Sequence, residues 1–215
     1  MQKFPDVFFP HAVGLRYPRR VITAPSQRLA TADDLAALPP HRRAEVITGS
    51  IEEKAAPSYE HGEAQSQAAH LLCGPFHGRG GGSKPGGWWI ASEVEVEFET
   101  HEVYVPDLVG WRRDRVPARP VGRPVRIRPD WVCEVISPST AGRDLIVKHR
   151  TLHRCQVPHY WIIDPDQRTL AVHRWHADGY IVVLRAGATE TVRAEPFDAI
   201  ALPVGQFFGE EEKEK

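Results

Sequence analysis

An acidic residue within the most hydrophobic segment of the chain is the first candidate for chemistry. Glu134 is flanked by Val132, Cys133, Val135 and Ile136, and a run that is apolar on both faces predicts a central β-strand. Burying an unpaired carboxylate costs roughly several kcal/mol, so Glu134 requires a cation, a proton or a strong partner. A metal ion, a catalytic proton and a buried arginine each remain open as explanations.

A second carboxylate can meet Glu134 from a neighbouring strand. Two aspartates follow prolines, Asp107 and Asp130. Asp130 would share a strand face with Glu134 but lie about 13 Å from it, which is too far to share an ion. Asp107 is expected on a separate strand, and adjacent strands are about 5 Å apart, so its carboxylate can converge with that of Glu134 on one cation. The pair Asp107 and Glu134 therefore predicts a divalent metal site.

The first elements that must position these acids can be read from capping residues and turns. Thr31, followed by Asp34, indicates the start of a helix. The segment 45–54 predicts two short strands joined at Gly49. Ser58 is a suitable cap for a second helix with an apolar stripe.

Alternation and apolar runs predict the remaining elements. Two strands are expected at 88–100 and 103–111, followed by the central strand at 131–136. Ser139 or Thr140 should cap a helix that runs to about Cys155. The last predicted elements are a buried strand at 160–163 and a hairpin of 169–175 with 180–184. The fold class is α/β (α+β), a mixed sheet flanked by helices.

Length and composition favour one domain without a membrane span. The chain has 215 residues, 41% of them hydrophobic, and we expect an arm at 1–28, a domain at 29–209 and a charged tail at 210–215. No apolar run is long enough for a transmembrane helix, and the first residues do not resemble a signal peptide. Cys73, Cys133 and Cys155 show neither zinc-site nor disulfide spacing, which predicts a reduced, cytoplasmic setting.

The charge is balanced overall but uneven along the chain. The net charge is −1, which does not favour nucleic-acid binding by the whole molecule. Within 112–128, however, seven arginines stand beside one acid, Asp114, while glutamates alternate over 93–99. Either the two segments neutralise each other, or the arginines contact phosphates. The candidates for phosphate contact are Arg112, Arg113, Arg115, Arg119 and Arg123.

Several motifs together resemble a known nuclease family. A Pro-Asp followed by an acid on the next strand resembles the PD-(D/E)xK superfamily, whose third member is a lysine two residues after the acid; here that residue is Ile136. The stretches Glu134–Thr140, Asp144–Lys148 and Val157–Asp164, with earlier fragments at 45–49, 57–61 and 106–107, are similar to the bacterial Uma-two family of restriction-endonuclease-like proteins. The resemblance covers about residues 30–185.

The resemblance implies a restriction-endonuclease-like fold, a divalent metal and a lysine displaced onto the helix, which maps to Lys148. In such a site, Asp107, Glu134 and the backbone carbonyl near Val135 would bind Mg²⁺ or Mn²⁺, and the ammonium of Lys148 would favour hydroxide and the transition state. The competing interpretation makes Lys148 the exposed helical partner of Asp144. Glu45 and His61 stand at positions where the resemblance expects functional or site-shaping residues. Glu93 and Glu95 share a strand face, from which one of them can add a water-mediated metal contact, and Asp144 is a further accessory candidate.

Three functions remain after this comparison of motifs. The first is metal-dependent hydrolysis of DNA by a homodimer, because cutting both strands of a duplex requires two sites. The second keeps the fold but treats the site as degenerate, in a dimeric binding or scaffold protein, as Ile136 suggests. The third is an RNA-directed nuclease or a phosphoesterase acting on small substrates.

Overall fold

Strands contribute more residues than helices to the described chain, which comprises residues 28–137 and 142–211 of a computed structural model. The strands are β1 (Ala44–Ile47), β2 (Ser50–Glu53), β3 (Trp88–Ser92), β4 (Val96–Glu99), β5 (Glu102–Tyr104), β6 (Leu108–Arg112), β7 (Trp131–Val135), β8 (His159–Asp164), β9 (Thr169–Arg174), β10 (Ile181–Gly187), β11 (Thr191–Val192) and β12 (Leu202–Pro203). A large sheet has the order β10-β9-β8-β7-β6-β3, a small sheet has the order β2-β1-β5-β4, and β11 pairs with β12. Residues 1–27 of the predicted arm and 212–215 of the predicted tail lie outside the described residues.

The helices are α1 (Ala32–Ala36), α2 (Tyr59–Phe76), a π-helix (Arg143–Lys148) that continues into α3 (His149–Arg154), and a 3₁₀ helix (Val204–Phe208). Thr31 and Asp34 form a reciprocal capping box at α1, and Ser58 Oγ accepts a hydrogen bond from the His61 amide at α2. Both predicted helix starts are confirmed. Ser139 and Thr140, predicted to cap the third helix, are outside the described residues. No helix in the described ranges is long and apolar enough to cross a bilayer.

The predicted hairpin around Gly49 is confirmed. β1 and β2 pair antiparallel, with Ile47 opposite Ser50. Thr48 and Gly49 both have positive φ, at 50° and 76°, as a two-residue hairpin turn of this hand requires. The hairpin places Glu45 on β1 and Lys54 just beyond β2.

The predicted central strand is also confirmed. β7 lies between β6, to which it is antiparallel, and β8, to which it is parallel. Its side chains alternate between two hydrophobic clusters, with Trp131 in one and Val132 in the other. The first cluster is covered by α2 through Ala64, Ala68, Leu72 and Phe76, and the second by Leu152 of α3. Because both faces are buried, the strand is a continuous apolar run, and Glu134 is its exception.

Two strands predicted as continuous are each divided by a bend. The segment 88–100 leaves the large sheet after β3, bends at Glu93, whose φ is 54°, and enters the small sheet as β4. The segment 103–111 makes the reverse passage from β5 to β6 across residues 105–107. The two bends adjoin, because the Glu93 amide donates a hydrogen bond to the Pro106 carbonyl at 3.2 Å. The alternating sequence pattern did not predict this crossing between sheets. The crossing brings polar side chains together where the chain passes from one sheet to the other.

Candidate metal centre and active site

Asp107 lies where the chain enters the large sheet. Leu108 pairs with Cys133, so continuing the register one residue beyond β6 brings Asp107 opposite Glu134. The Oδ2 atom of Asp107 accepts a hydrogen bond of 2.7 Å from the Val135 amide. The Asp107 carboxylate therefore accepts a hydrogen bond from the β7 backbone at this end of the β6–β7 pair, and this bond fixes the position of the side chain.

Two further side chains surround the other oxygen of this aspartate. Asp107 Oδ1 lies 3.0 Å from Lys54 Nζ and 3.3 Å from His61 Nε2. Burial by itself would raise the pKa of Asp107, but the hydrogen bond with His61 and the charge of Lys54 outweigh it and hold that pKa well below its usual range. Asp107 is therefore an anion at neutral pH although its side chain is almost wholly buried.

Glu134 meets Lys148 beside this aspartate. Lys148 Nζ donates to Glu134 Oε1 at 3.0 Å and to Glu45 Oε1 at 2.9 Å, and all three side chains are buried. Glu45 also accepts a hydrogen bond of 2.7 Å from the Val105 amide. The ammonium thus bridges a carboxylate of the small sheet and a carboxylate of the large one.

Helix geometry explains why Lys148 points inward. Leu152, one turn later, is fully buried in the second cluster, and residues four apart share a helix face. Ile136, at the position where the superfamily has its lysine, packs in the same cluster. The interpretation of Lys148 as an exposed partner of Asp144 does not fit its 2% exposure, and the side chain of Asp144 lies outside the described residues.

Sequence reasoning missed two polar residues of this site, Lys54 and Gln65. Lys54 Nζ bonds to the Val105 carbonyl at 2.7 Å in addition to Asp107. Its burial opposes the charged form, but Asp107, Glu134 and Glu93 outweigh this and raise its pKa. Gln65 Nε2 donates to the Asp107 carbonyl at 3.1 Å. Its spacing of four residues from His61 on α2 was a signal that could have identified it.

The accessory acids Glu93 and Glu95 occupy different surroundings. Glu93 contacts Arg43, Lys54 and Gln65 at the edge of the site. Glu95 forms an ion pair with Arg123 at 2.8 Å. The structure therefore brings Glu93, but not Glu95, into contact with a residue that touches Asp107.

The five candidate phosphate-binding arginines do not form one surface. Arg112 pairs with the exposed Asp114, Arg113 stacks 3.3 Å above the Trp89 ring, and Arg115 pairs with the buried Asp130 at 2.7 Å. These three lie at or beyond the end of β6 opposite Asp107. Arg119 lines an apolar groove. The ion pairs of the 112–128 segment with the glutamates, Arg123 to Glu95 and Arg126 to Glu97, favour the interpretation that these segments neutralise each other.

A cleft opens beside the site on the small-sheet side. Its volume is about 530 Å³, and Lys54 and Glu93 form part of its wall. The other charged residues of its lining are Arg42, Arg43, Glu95 and Arg123. Among the candidate arginines, Arg123 is thus the one that lines this cleft.

The donor set is suited to a hard divalent cation. Mg²⁺ is commonly bound through one or two carboxylates and retains several waters, and Asp107 and Glu134 supply two such carboxylates at opposite register positions. Among the described side chains of the site, the buried carboxylates of Glu45, Asp107 and Glu134 face the ammonium groups of Lys54 and Lys148, so negative charge predominates. Within the described ranges no group of three His, Cys, Asp or Glu is arranged to hold a metal, so backbone and water would complete the shell.

Comparison with known proteins agrees with this architecture. The crystal structure described as "a putative nuclease belonging to DUF820", from Anabaena variabilis ATCC 29413, is similar to this chain with a TM-score of 0.65 at 22% identity, over 83% of this chain and 97% of that one. A comparison with curated proteins gave no match. Residues 32–205 match the Uma2 family, described as "Putative restriction endonuclease". The fold is the restriction-endonuclease-like mixed α+β fold expected from the motifs, in a single domain, and the chain belongs to the Uma2 family.

Proposed function

We propose that this protein is a metal-dependent endonuclease that hydrolyses phosphodiester bonds in DNA. The observation that carries the proposal is that Asp107, bonded to the Val135 amide, and Glu134 lie at the same end of the β6–β7 pair, with the Lys148 ammonium 3.0 Å from Glu134. Two carboxylates and one amine at the end of a central strand pair are the groups required for metal-assisted phosphodiester hydrolysis. Family membership supports the nuclease activity, and the donor set supports Mg²⁺ or Mn²⁺ as the cofactor.

Each residue has a defined part in this proposal. Asp107 and Glu134 hold the cation, joined by the carbonyl near Val135. When bound, the cation supplies Lewis acidity, which polarises a phosphoryl oxygen and makes water more acidic. The Lys148 ammonium, fixed by Glu45, stabilises negative charge as it develops on the phosphate. Lys54 and His61 keep Asp107 ionised and oriented, and they are positioning residues.

The buried amine argues for activity rather than for degeneration. A scaffold function was considered because Ile136 stands where the superfamily has a lysine. Lys148 supplies an ammonium to the same face of the sheet from the neighbouring helix, so the site retains all three chemical groups. We propose a homodimer as the active form, because two sites are needed to cut both strands. Sedimentation at micromolar concentration tests this point, and a monomer would contradict it.

The decisive experiment combines metal binding with cleavage. Calorimetric titration with Mg²⁺ or Mn²⁺ should show binding by the wild type and loss of binding by Asp107→Asn. Asp130→Asn is the matched control, since Asp130 is also a buried aspartate paired with a cation but lies at the other end of β7. Plasmid DNA should be cleaved by the wild type and not by Glu134→Gln. Equal metal binding by the wild type, Asp107→Asn and Asp130→Asn would contradict the metal site. Cleavage of RNA but not of DNA would make RNA the substrate.

A further inference from the structure

Three hydrogen-bond donors from separate elements converge on the carboxylate of Glu93. Arg43, just before β1, bonds to Oε2, and Lys54 Nζ lies 3.3 Å from both oxygens. Gln65 Nε2 of α2 donates to Oε1 at 3.2 Å. Two cations and an amide around one anion form the kind of site that also binds a phosphate. The anion in this structure is the Glu93 carboxylate, and the Glu93 backbone is in the left-handed region.

The location of these donors relates them to the proposed metal centre. Lys54 Nζ is shared, because it lies 3.0 Å from Asp107 as well as 3.3 Å from Glu93. Arg43, Lys54 and Glu93 all line the 530 Å³ cleft, whose wall also contains Arg42 and Arg123. A DNA backbone lying in this cleft would therefore pass from the arginines to Lys54, which contacts Asp107.

We propose that the donors around Glu93 form a subsite for a backbone phosphate of DNA next to the reacting one, and that the Glu93 carboxylate occupies it in competition with the substrate. This proposal rests on the proposed function for the identity of the ligand. A phosphate entering the subsite takes the hydrogen bonds that Arg43 and Lys54 make with Glu93, and the Glu93 carboxylate moves away from the phosphate into solvent. The cleft, rather than the surface carrying Arg112 and Arg115, is then the path of the DNA strand.

The experiment measures DNA binding without cleavage. A fluorescently labelled DNA duplex is titrated in EDTA, and anisotropy gives the affinity at several salt concentrations. Glu93→Gln should tighten binding about two- to fivefold, the factor expected from one partly exposed ion pair. Arg43→Ala should weaken it by a similar factor and reduce the slope of log K against log salt by about 0.9, as for one lost phosphate contact.

The matched controls are Glu97→Gln and Arg126→Ala. These residues form an ion pair of 2.8 Å outside the cleft lining, and their variants change the net charge by the same amounts. If the control variants change the DNA affinity as much as Glu93→Gln and Arg43→Ala do, the changes come from net charge alone and the subsite proposal is wrong. Glu93→Asn, which tolerates a left-handed backbone, provides a second test if Glu93→Gln is poorly folded.

Two further outcomes separate this inference from the proposed function. If the wild type cleaves DNA with Mg²⁺ but neither Glu93 variant binds DNA more tightly, the subsite is wrong and the nuclease proposal stands. If the Glu93 variants bind more tightly and the wild type never cleaves, the subsite stands and the nuclease proposal is wrong. Weakened Mg²⁺ binding by Glu93→Gln, with unchanged DNA affinity, would make Glu93 a metal ligand and overturn the subsite.

Discussion

Lys148 Nζ lies 3.0 Å from Glu134 Oε1, although the two residues are 14 positions apart in the sequence and belong to a helix and a strand. The usual arrangement of the superfamily places the amine on the strand itself, at the position of Ile136. Here Ile136 extends the apolar cluster beneath α3, and the helix supplies the charge. In the proposed site, the ammonium therefore comes from the helix rather than from the strand.

The buried bridge from Lys148 to Glu45 and Glu134 should matter for stability as well as for activity. Replacing Lys148 by Met leaves two buried carboxylates without this cation, and we expect a loss of about 3 to 5 kcal/mol in the free energy of unfolding. Adding Glu45→Gln should recover part of that loss but none of the cleavage activity. Urea unfolding and plasmid cleavage measure the two effects, and recovered cleavage in the double variant would contradict the role of Lys148.

Acid stability should depend on Asp107. Its pKa is lowered in the folded protein, so its ionisation stabilises the fold above the ordinary aspartate pKa, and this contribution is lost as the pH falls towards the folded value. We expect Asp107→Asn to be less stable by about 2 kcal/mol at pH 7 and to converge with the wild type as acid is added. Urea unfolding from pH 7 to pH 2 tests this, because the contribution is lost below the ordinary aspartate pKa. Parallel curves over the whole range would show that the lowered pKa is wrong.

The role of Lys54 can be separated from that of Lys148 by a pH profile. Its ammonium is one of the charges that keep the pKa of Asp107 low. Lys54→Gln should therefore raise the pKa of Asp107 and move the acid limb of the cleavage profile to higher pH. Lys84→Gln, in an exposed loop, is the control with the same charge change. A uniform loss of rate at all pH values would argue against a positioning role through Asp107.

Gly110 allows β6, the strand that follows Asp107, to lie between two tryptophans. A Cβ at this position would meet Trp131 at 3.1 Å and Trp88 at 3.2 Å, and both rings are buried. We expect Gly110→Ala to destabilise the protein by about 1 to 3 kcal/mol through overpacking. Gly62→Ala in α2, where nothing lies within 4 Å, should instead stabilise by about 0.5 to 1 kcal/mol. Thermal unfolding of both variants is sufficient, and equal signs would contradict the packing argument.

The sequence predicted elements whose signals are local. The caps at Thr31 and Ser58, the turn at Gly49 and the apolar run around Glu134 each lie within a few residues, and each is confirmed. The bend at Glu93 was missed because alternation continues on both sides of it and glutamate carries no signal for a positive φ. Lys54 was missed because its partners, Asp107 and Glu93, are 53 and 39 residues away.

The two adjoining bends divide the proposed active site between two sheets whose hydrophobic clusters differ in size. Glu134 belongs to the six-stranded sheet and Asp107 adjoins it, whereas Glu45 and Lys54 come from the β1–β2 hairpin, whose cluster contains five buried residues. A partial opening that detaches this hairpin would cost less than complete unfolding. Enzymatic competence should then vanish in mild denaturant while the central strands still protect their amides from solvent exchange.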